Sequence, residues 1–405
     1  MNVKINFFFT IPIGILLGLF LPLGIYSSLS HAFIRLSYLS LIPFLIFSIP
    51  LGIENIIENK NFKKLFSKTI YYGILINLSG VAVSITAAII YLPQRIPILE
   101  KTIQNIYFFE KEALLETFFP KNIFKIFTSS NPNLLSIYMI SIIIGTSFYY
   151  AKQKGRIARE LMLSASNLFY HANGFIANIL NIGIIFITAD YTTSLKSFKD
   201  YQNYTNSITF FLTWTIIILF AILPIISYRL TKNFKMIYKG IFVSLKNIIF
   251  SGLTKDSYSP YVILIEDIKN ERINIKKSII INIPLINFVS KFGTIFVSVI
   301  SFFIILKSYS SLPISIYEIS YMSTLSFFFV LAFPHIPNSL IYVITMLCST
   351  YTKGIELNVS NITPMLPILI SLALLIDFAF NIAIIHIINF KELKDQEKIN
   401  SSQTN

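Results

Sequence analysis

The chain has 405 residues, 54% of them hydrophobic and 13% charged, with a mean hydropathy of +0.69. This balance excludes a soluble globular domain and a disordered chain, and it defines a polytopic helical membrane protein. A formal charge of +14 would suggest nucleic acid in a soluble domain, but the lysines fall in connections between apolar runs; the single cysteine, Cys348, excludes an internal disulfide or a cysteine-based metal site.

Apolar runs of roughly 20 residues, the length that spans a hydrocarbon core, occur at 6–26, 35–57, 67–92, 133–150, 174–193, 207–228, 277–306 and 364–390. The first follows Lys4 as the apolar core of a signal peptide would, yet it is too long and lacks a small-residue cleavage site, so it reads as a retained helix. Two further stretches, 236–275 and 313–352, are apolar but interrupted. The first holds Phe-Ser-Gly-Leu-Thr-Lys-Asp-Ser-Tyr-Ser-Pro between Phe250 and Pro260, and the second holds Pro334, His335, Pro337, Asn338 and Ser339. Irregular backbone at membrane depth is tolerated only inside protein or beside a watery cavity, so both interruptions read as tips of re-entrant hairpins.

Charge orders these elements. One set of connections carries Lys60, Lys63, Lys64 and Lys68; then Lys152, Lys154, Arg156 and Arg159; then Arg229, Lys232, Lys235 and Lys239; then Lys269, Arg272, Lys276 and Lys277. The alternate set is poorer or balanced, as in the loop from Pro93 to Lys121. The positive-inside rule makes the first set cytoplasmic, together with Lys391, Lys394 and Lys398, so both termini are expected inside a cytoplasmic (inner) membrane. Because the loops around 229–239 and 269–277 lie on one side, the segment between them must enter and return. The stretch 313–352 is expected to do the same from the outer side. The fold class is thus an all-α polytopic membrane protein with eight transmembrane helices, two re-entrant hairpins and inverted repeats, an architecture that places substrate near the midplane.

Scaffold stretches then carry a resemblance: Phe33 to Phe47 with Pro43, Phe119-Pro120-Lys-Asn122, and Asn133-Leu-Leu followed by Ile144-Gly145. With the order of the hairpins, the chain from Phe8 to Phe390 resembles the dicarboxylate/amino acid:cation symporters, the glutamate transporter family. The resemblance implies a scaffold and trimerisation region at 1–230, with helix 3 and part of helix 6 open to either domain, a transport core at 231–390 and a cytoplasmic tail at 391–405. It also implies a homotrimer.

At the first hairpin tip the resemblance implies substrate contacts for Thr254, Ser257 and Ser259, with Ser257 and the tip amides best placed to hold a carboxylate; a solvated loop is the plainer reading. In the seventh helix the chain offers Ser290-Lys291-Phe292-Gly293-Thr294 where the family breaks its helix around sodium. Gly293 and Thr294 are kept, Phe292 replaces a carboxylate, and Ser79 lies near another family sodium position. A lysine inside an apolar helix is costly, so Lys291 either stands in for a bound cation, snorkels, or marks decay of the site. In the eighth helix Asp377 falls where the family binds a substrate amino group, Asn381 shares its face one turn on, and Ile384 replaces a sodium-ligand asparagine. Asp377 is expected to meet either Lys291 or substrate ammonium. Phe380 replaces the arginine of acidic-substrate members, which points to a neutral or apolar side chain. In the second hairpin Pro337 is kept, and His335 is either a proton-coupling group or a simple hydrogen-bonded residue.

The resemblance implies a secondary active symporter of amino acids or small dicarboxylates such as glutamate or aspartate, with a neutral amino acid as the variant that Phe380 suggests. Sodium or protons are the coupling ions, and no cofactor is expected. The alternative is a regulatory membrane protein that keeps the fold without transport. No enzyme motif supports a third reading: the sequence has no His-Glu-x-x-His and no Gly-x-Ser-x-Gly.

Overall fold

The computed structural model describes residues 7–21, 24–58, 60–93, 95–97, 134–196, 201–269, 283–310, 313–332, 339–351 and 359–403, which form helices and no strand. Pro334, His335, Pro337 and Asn338, the scaffold stretch at 119–124 and Asn133 lie outside the described residues. The first half comprises α1 (Phe7–Phe20), α2 (Ile25–Glu58), α3 (Lys60–Ile90), α4 (Leu134–Ala151) and α5 (Arg156–Lys196). It also includes α6 (Tyr201–Ile217), which runs through a π-helical turn at Ile218–Ile222 into α7 (Leu223–Thr231). The wide turn falls just before Pro224, whose ring excludes the carbonyl one turn back.

Six helical stretches among the described residues have the length and hydropathy to cross a membrane: Ile25–Glu58, Lys63–Ile90, Ser136–Lys196, Gln202–Thr231, Leu285–Tyr309 and Val359–Leu393. The third is long enough for two of the expected spans and is interrupted at Lys152–Gly155 by a tighter 3₁₀ turn. Large apolar side chains such as Phe9, Leu39, Phe175 and Phe220 face outward, as a lipid-exposed surface requires. Close helix crossings are made by small residues. Gly14 and Gly18, one turn apart on α1, abut the carbonyls of Ile185 and Ala189 on α5, and Gly145 of α4 abuts the carbonyl of Pro50 on α2. Arg159 Nη1 donates to the buried Glu54 Oε1 at 3.1 Å and ties α5 to α2.

The second half begins with α8 (Phe234–Val243), followed by α9 (Leu245–Thr254) and α10 (Ser259–Lys269). At 1.5 Å per residue, α9 and α10 are about 15 and 17 Å long, too short to cross a core of about 30 Å. They pack on each other around a turn at 255–258, where Lys255 has φ 53° and reverses the chain. Where the first hairpin is expected, the chain forms two short packed arms, and α8 is a separate helix before them. After it come α11 (Ile283–Val289), α12 (Phe292–Tyr309), α13 (Ile316–Ala332) and α14 (Ser339–Thr350). A 3₁₀ segment at Val359–Met365 then leads into α15 (Leu366–Gln403). Helices α13 and α14 also pack together, as the arms of a second hairpin would.

Helices α12 and α15 form the centre. Almost every residue of α12 is buried, against α3, α14 and α15. A Cβ built on Gly293 would lie 2.2 Å from the carbonyl oxygen of Ala373 and 2.7 Å from Cβ of Ile376, so these helices cross in near-backbone contact. Gly293→Ala is expected to destabilise the protein by about 1–3 kcal/mol through overpacking. Thermal unfolding in detergent checks this, with Gly24→Ala as an unchanged control, because nothing lies within 4 Å of a Cβ there.

Candidate functional site

The run from α11 into α12 is interrupted at Ser290-Lys291, where Lys291 has φ −141° and ψ 50°. Such a break frees backbone donors and acceptors in a buried place, and each must find a partner. Asn77 of α3 supplies two: its Nδ2 donates to the carbonyl of Val289 at 2.6 Å, and its Oδ1 accepts from the N–H of Lys291 at 2.7 Å. The approach of α3 is allowed by glycines on the same face, since a Cβ on Gly73 would strike Val289 and one on Gly80 would touch Phe292.

Asp377 of α15 closes the other side. Its Oδ1 accepts from the N–H groups of Gly293 at 2.6 Å and Thr294 at 3.1 Å, and its Oδ2 accepts from Thr294 Oγ1 at 2.6 Å. A carboxylate at the first turn of α12 satisfies orphan amides and complements the helix dipole. Three donors from α12 thus hold this residue.

Lys291 is 2% exposed, so its amine does not snorkel to the surface. Its Nζ donates at 3.0 Å to Oδ1 of Asn287, one turn earlier on α11. The same oxygen accepts from Asn381 Nδ2 at 3.3 Å, and Asn381 Nδ2 also reaches Tyr261 Oη at 3.0 Å. Asn287 Nδ2 extends at 3.4 Å to the carbonyl of Ser257 in the hairpin turn. One polar chain therefore links Lys291, Asn287, Asn381 and Tyr261 to the tip. Beside it the rings of Phe292 and Phe380 stack, centroids 4.1 Å apart and planes 13° from parallel.

The hairpin tip is held from outside itself. Asp256 Oδ2 accepts from the N–H of Ser259 at 2.7 Å, capping α10, while Tyr38 Oη of α2 donates to Asp256 Oδ1. Lys255 places its amine 5.0 Å from the ring centroid of Tyr191 on α5. Lower on α5, Asn173 Nδ2 donates to the carbonyl of Val262 at 2.9 Å while its Oδ1 accepts from Ser40 Oγ of α2 at 3.0 Å.

Of the residues expected at a site, Ser257, Ser290, Lys291, Gly293, Thr294, Asp377 and Asn381 converge on the break and the tip. Thr254 instead returns its hydroxyl to the carbonyl of Phe250 at 3.0 Å on its own helix. Ser259 contributes its amide to Asp256, and Ser79 bonds the carbonyl of Ile76 at 2.6 Å. Pro337 lies outside the described residues. Sequence reasoning missed Asn77, Asn287, Tyr38 and the role of Asp256; the available signal was an amide side chain inside an apolar helix. Among the described residues no cluster of three or more His, Cys, Asp or Glu could hold a metal ion.

The structure is thus a helical membrane protein in which a pair of short packed helices meets an interrupted, capped helix. The chain matches the sodium:dicarboxylate symporter family over residues 4–380, and it belongs to that family. Relatives include the proton/sodium-glutamate symport proteins of Geobacillus stearothermophilus and Bacillus caldotenax, each 28% identical over 42% of this chain and 45% of the relative. The chain thus spans about half the length of those relatives in the match.

Asn77→Ala should orphan one buried N–H and one buried C=O, at a combined cost of about 2–4 kcal/mol. It should lower the thermal midpoint in detergent far more than Ser79→Ala. Tyr38→Phe should free the hairpin tip: a cysteine placed at Ser257 should react with a soluble maleimide at least tenfold faster than in the Tyr38 background.

Proposed function

We propose that the chain is a secondary active transporter of amino acids or small carboxylates, seated in the cytoplasmic membrane with both termini inside. Family membership supports transport, and the hairpin, the break at Ser290-Lys291 and the α12 N-terminus supply the parts of a midplane site. The observation that carries the reading further is Lys291, a buried amine bonded to Asn287 inside the helix break. A charge fixed there does the electrostatic work of a bound cation, so uptake proceeds without sodium. The absence of a carboxylate at Phe292 agrees with this, because a hard monovalent cation needs several charged or carbonyl oxygens and an aromatic ring offers none.

A second reading, a membrane protein that keeps the fold without coupled transport, draws on the stacked Phe292 and Phe380, which are packed as core residues. Reconstituted vesicles separate the two. Saturable uptake of a labelled amino acid or small carboxylate in sodium-free buffer is expected, and Asp377→Asn should reduce it at least tenfold by weakening the cap on α12. A strict sodium requirement would remove the fixed-cation role. No uptake of any such solute would favour the second reading.

A further inference from the structure

The preferred ligand follows from which polar groups at the helix break are already used. A protonated Lys291 has three N–H donors, and one is taken by Asn287 Oδ1. The two carboxylates within electrostatic range of it are Asp377 and Asp256. Both are engaged elsewhere, Asp377 by three donors of α12 and Asp256 by Tyr38 and the N–H of Ser259. Two donor positions of Lys291 therefore have no protein acceptor among the described residues.

Several acceptors nearby are equally unused, Ser290 Oγ and Ser259 Oγ among them, and one belongs to the network itself. Asn381 is 1% exposed and its Oδ1 has no hydrogen-bond partner. The orientation of its amide is fixed by the network: Asn287 Oδ1 already accepts from Lys291, so the atom that Asn381 turns toward it must be the donating Nδ2. This leaves the carbonyl oxygen of Asn381 as the open end.

Asn287 also lines a cavity walled by Leu41, Phe44 and Leu45 of α2, Tyr138 of α4, Tyr258, Tyr261 and Ile265 of the hairpin and Ile283 of α11. Its enclosed space, about 10 Å³, holds at most one water-sized body. Because the hairpin forms one wall, outward movement of the hairpin enlarges it.

We infer that the ligand of this site is a small monocarboxylate with a hydroxyl on the carbon next to the carboxylate and an apolar body. This rests on the transport reading above. The carboxylate takes the spare donors of Lys291, the hydroxyl donates to Asn381 Oδ1, and the apolar body enters the cavity between α2 and the hairpin. An ammonium in place of the hydroxyl is disfavoured, because it would lie beside the ammonium of Lys291 with both carboxylates already bonded. A second carboxylate is disfavoured because the cavity that takes the ligand's body presents almost wholly apolar surface.

The test is thermal stabilisation of the full-length protein in detergent by 2-hydroxyisocaproate, isocaproate, leucine and malate, paired with uptake of the same solutes into vesicles. 2-Hydroxyisocaproate should raise the midpoint most, isocaproate should bind at least fivefold more weakly, and leucine and malate should give no shift. Asn381→Leu should erase the difference between the hydroxylated and plain acids while leaving isocaproate binding. Lys291→Gln should weaken both acids at least tenfold; Lys291→Arg, which keeps the charge should the glutamine variant fail to fold, should keep both within a few fold. Leucine or malate binding as tightly as 2-hydroxyisocaproate would overturn the ligand class and leave transport standing if either is taken up. Stabilisation by the hydroxy acid without uptake of any solute would overturn transport and keep the ligand class. No stabilisation by any of the four would overturn the ligand class, and uptake would then decide the transport reading by itself.

Discussion

The structure turns on an unwound step in its most deeply buried stretch. Between Val289 and Phe292 the backbone leaves the helical ladder amid apolar side chains, and its polar groups persist there because two side chains from distant helices complete them. Asn77 bridges the gap by donating to one side and accepting from the other, while Asp377 gathers the first amides of α12. Each requires the other helices to come close, hence Gly73 and Gly80 on α3 and Gly293 at the crossing with α15. The break, the caps and the glycines form one mutually dependent arrangement: enlarging a glycine moves a helix, and moving a helix orphans a buried amide.

Phe292 and Phe380 also form a unit. Their rings face each other in the buried interior, a neutral contact that stacking favours by about 0.5–1.5 kcal/mol. The local electrostatics then rest on Lys291, which the amides of Asn287 and Asn381 link to the hairpin.

Much of the framework was legible because bilayer physics writes it into local sequence. Long apolar runs marked the helices, and short runs around Phe250–Pro260 marked arms too short to cross. The cost of charge in an apolar setting singled out Lys291 and Asp377. What pairing those residues found was not legible, since Asn77 meets Val289 across 212 positions and Tyr38 meets Asp256 across 218. An asparagine or tyrosine in a membrane helix carries little cost alone, so nothing local announces that it completes another element's backbone. The same gap hid the part of Asp377 that holds a helix terminus.

The contact between Tyr38 and Asp256 joins a hairpin with a polar turn to a long helix through a bond to a carboxylate, beside the packing of the Tyr38 and Tyr258 rings. A bond of that kind contributes about 1.5–3 kcal/mol. On its own it would lower the equilibrium share of undocked tips by roughly ten- to a hundredfold, since each 1.4 kcal/mol is a factor of ten. The phenolic proton of Tyr38 is thereby one of several contacts that hold the turn against α2.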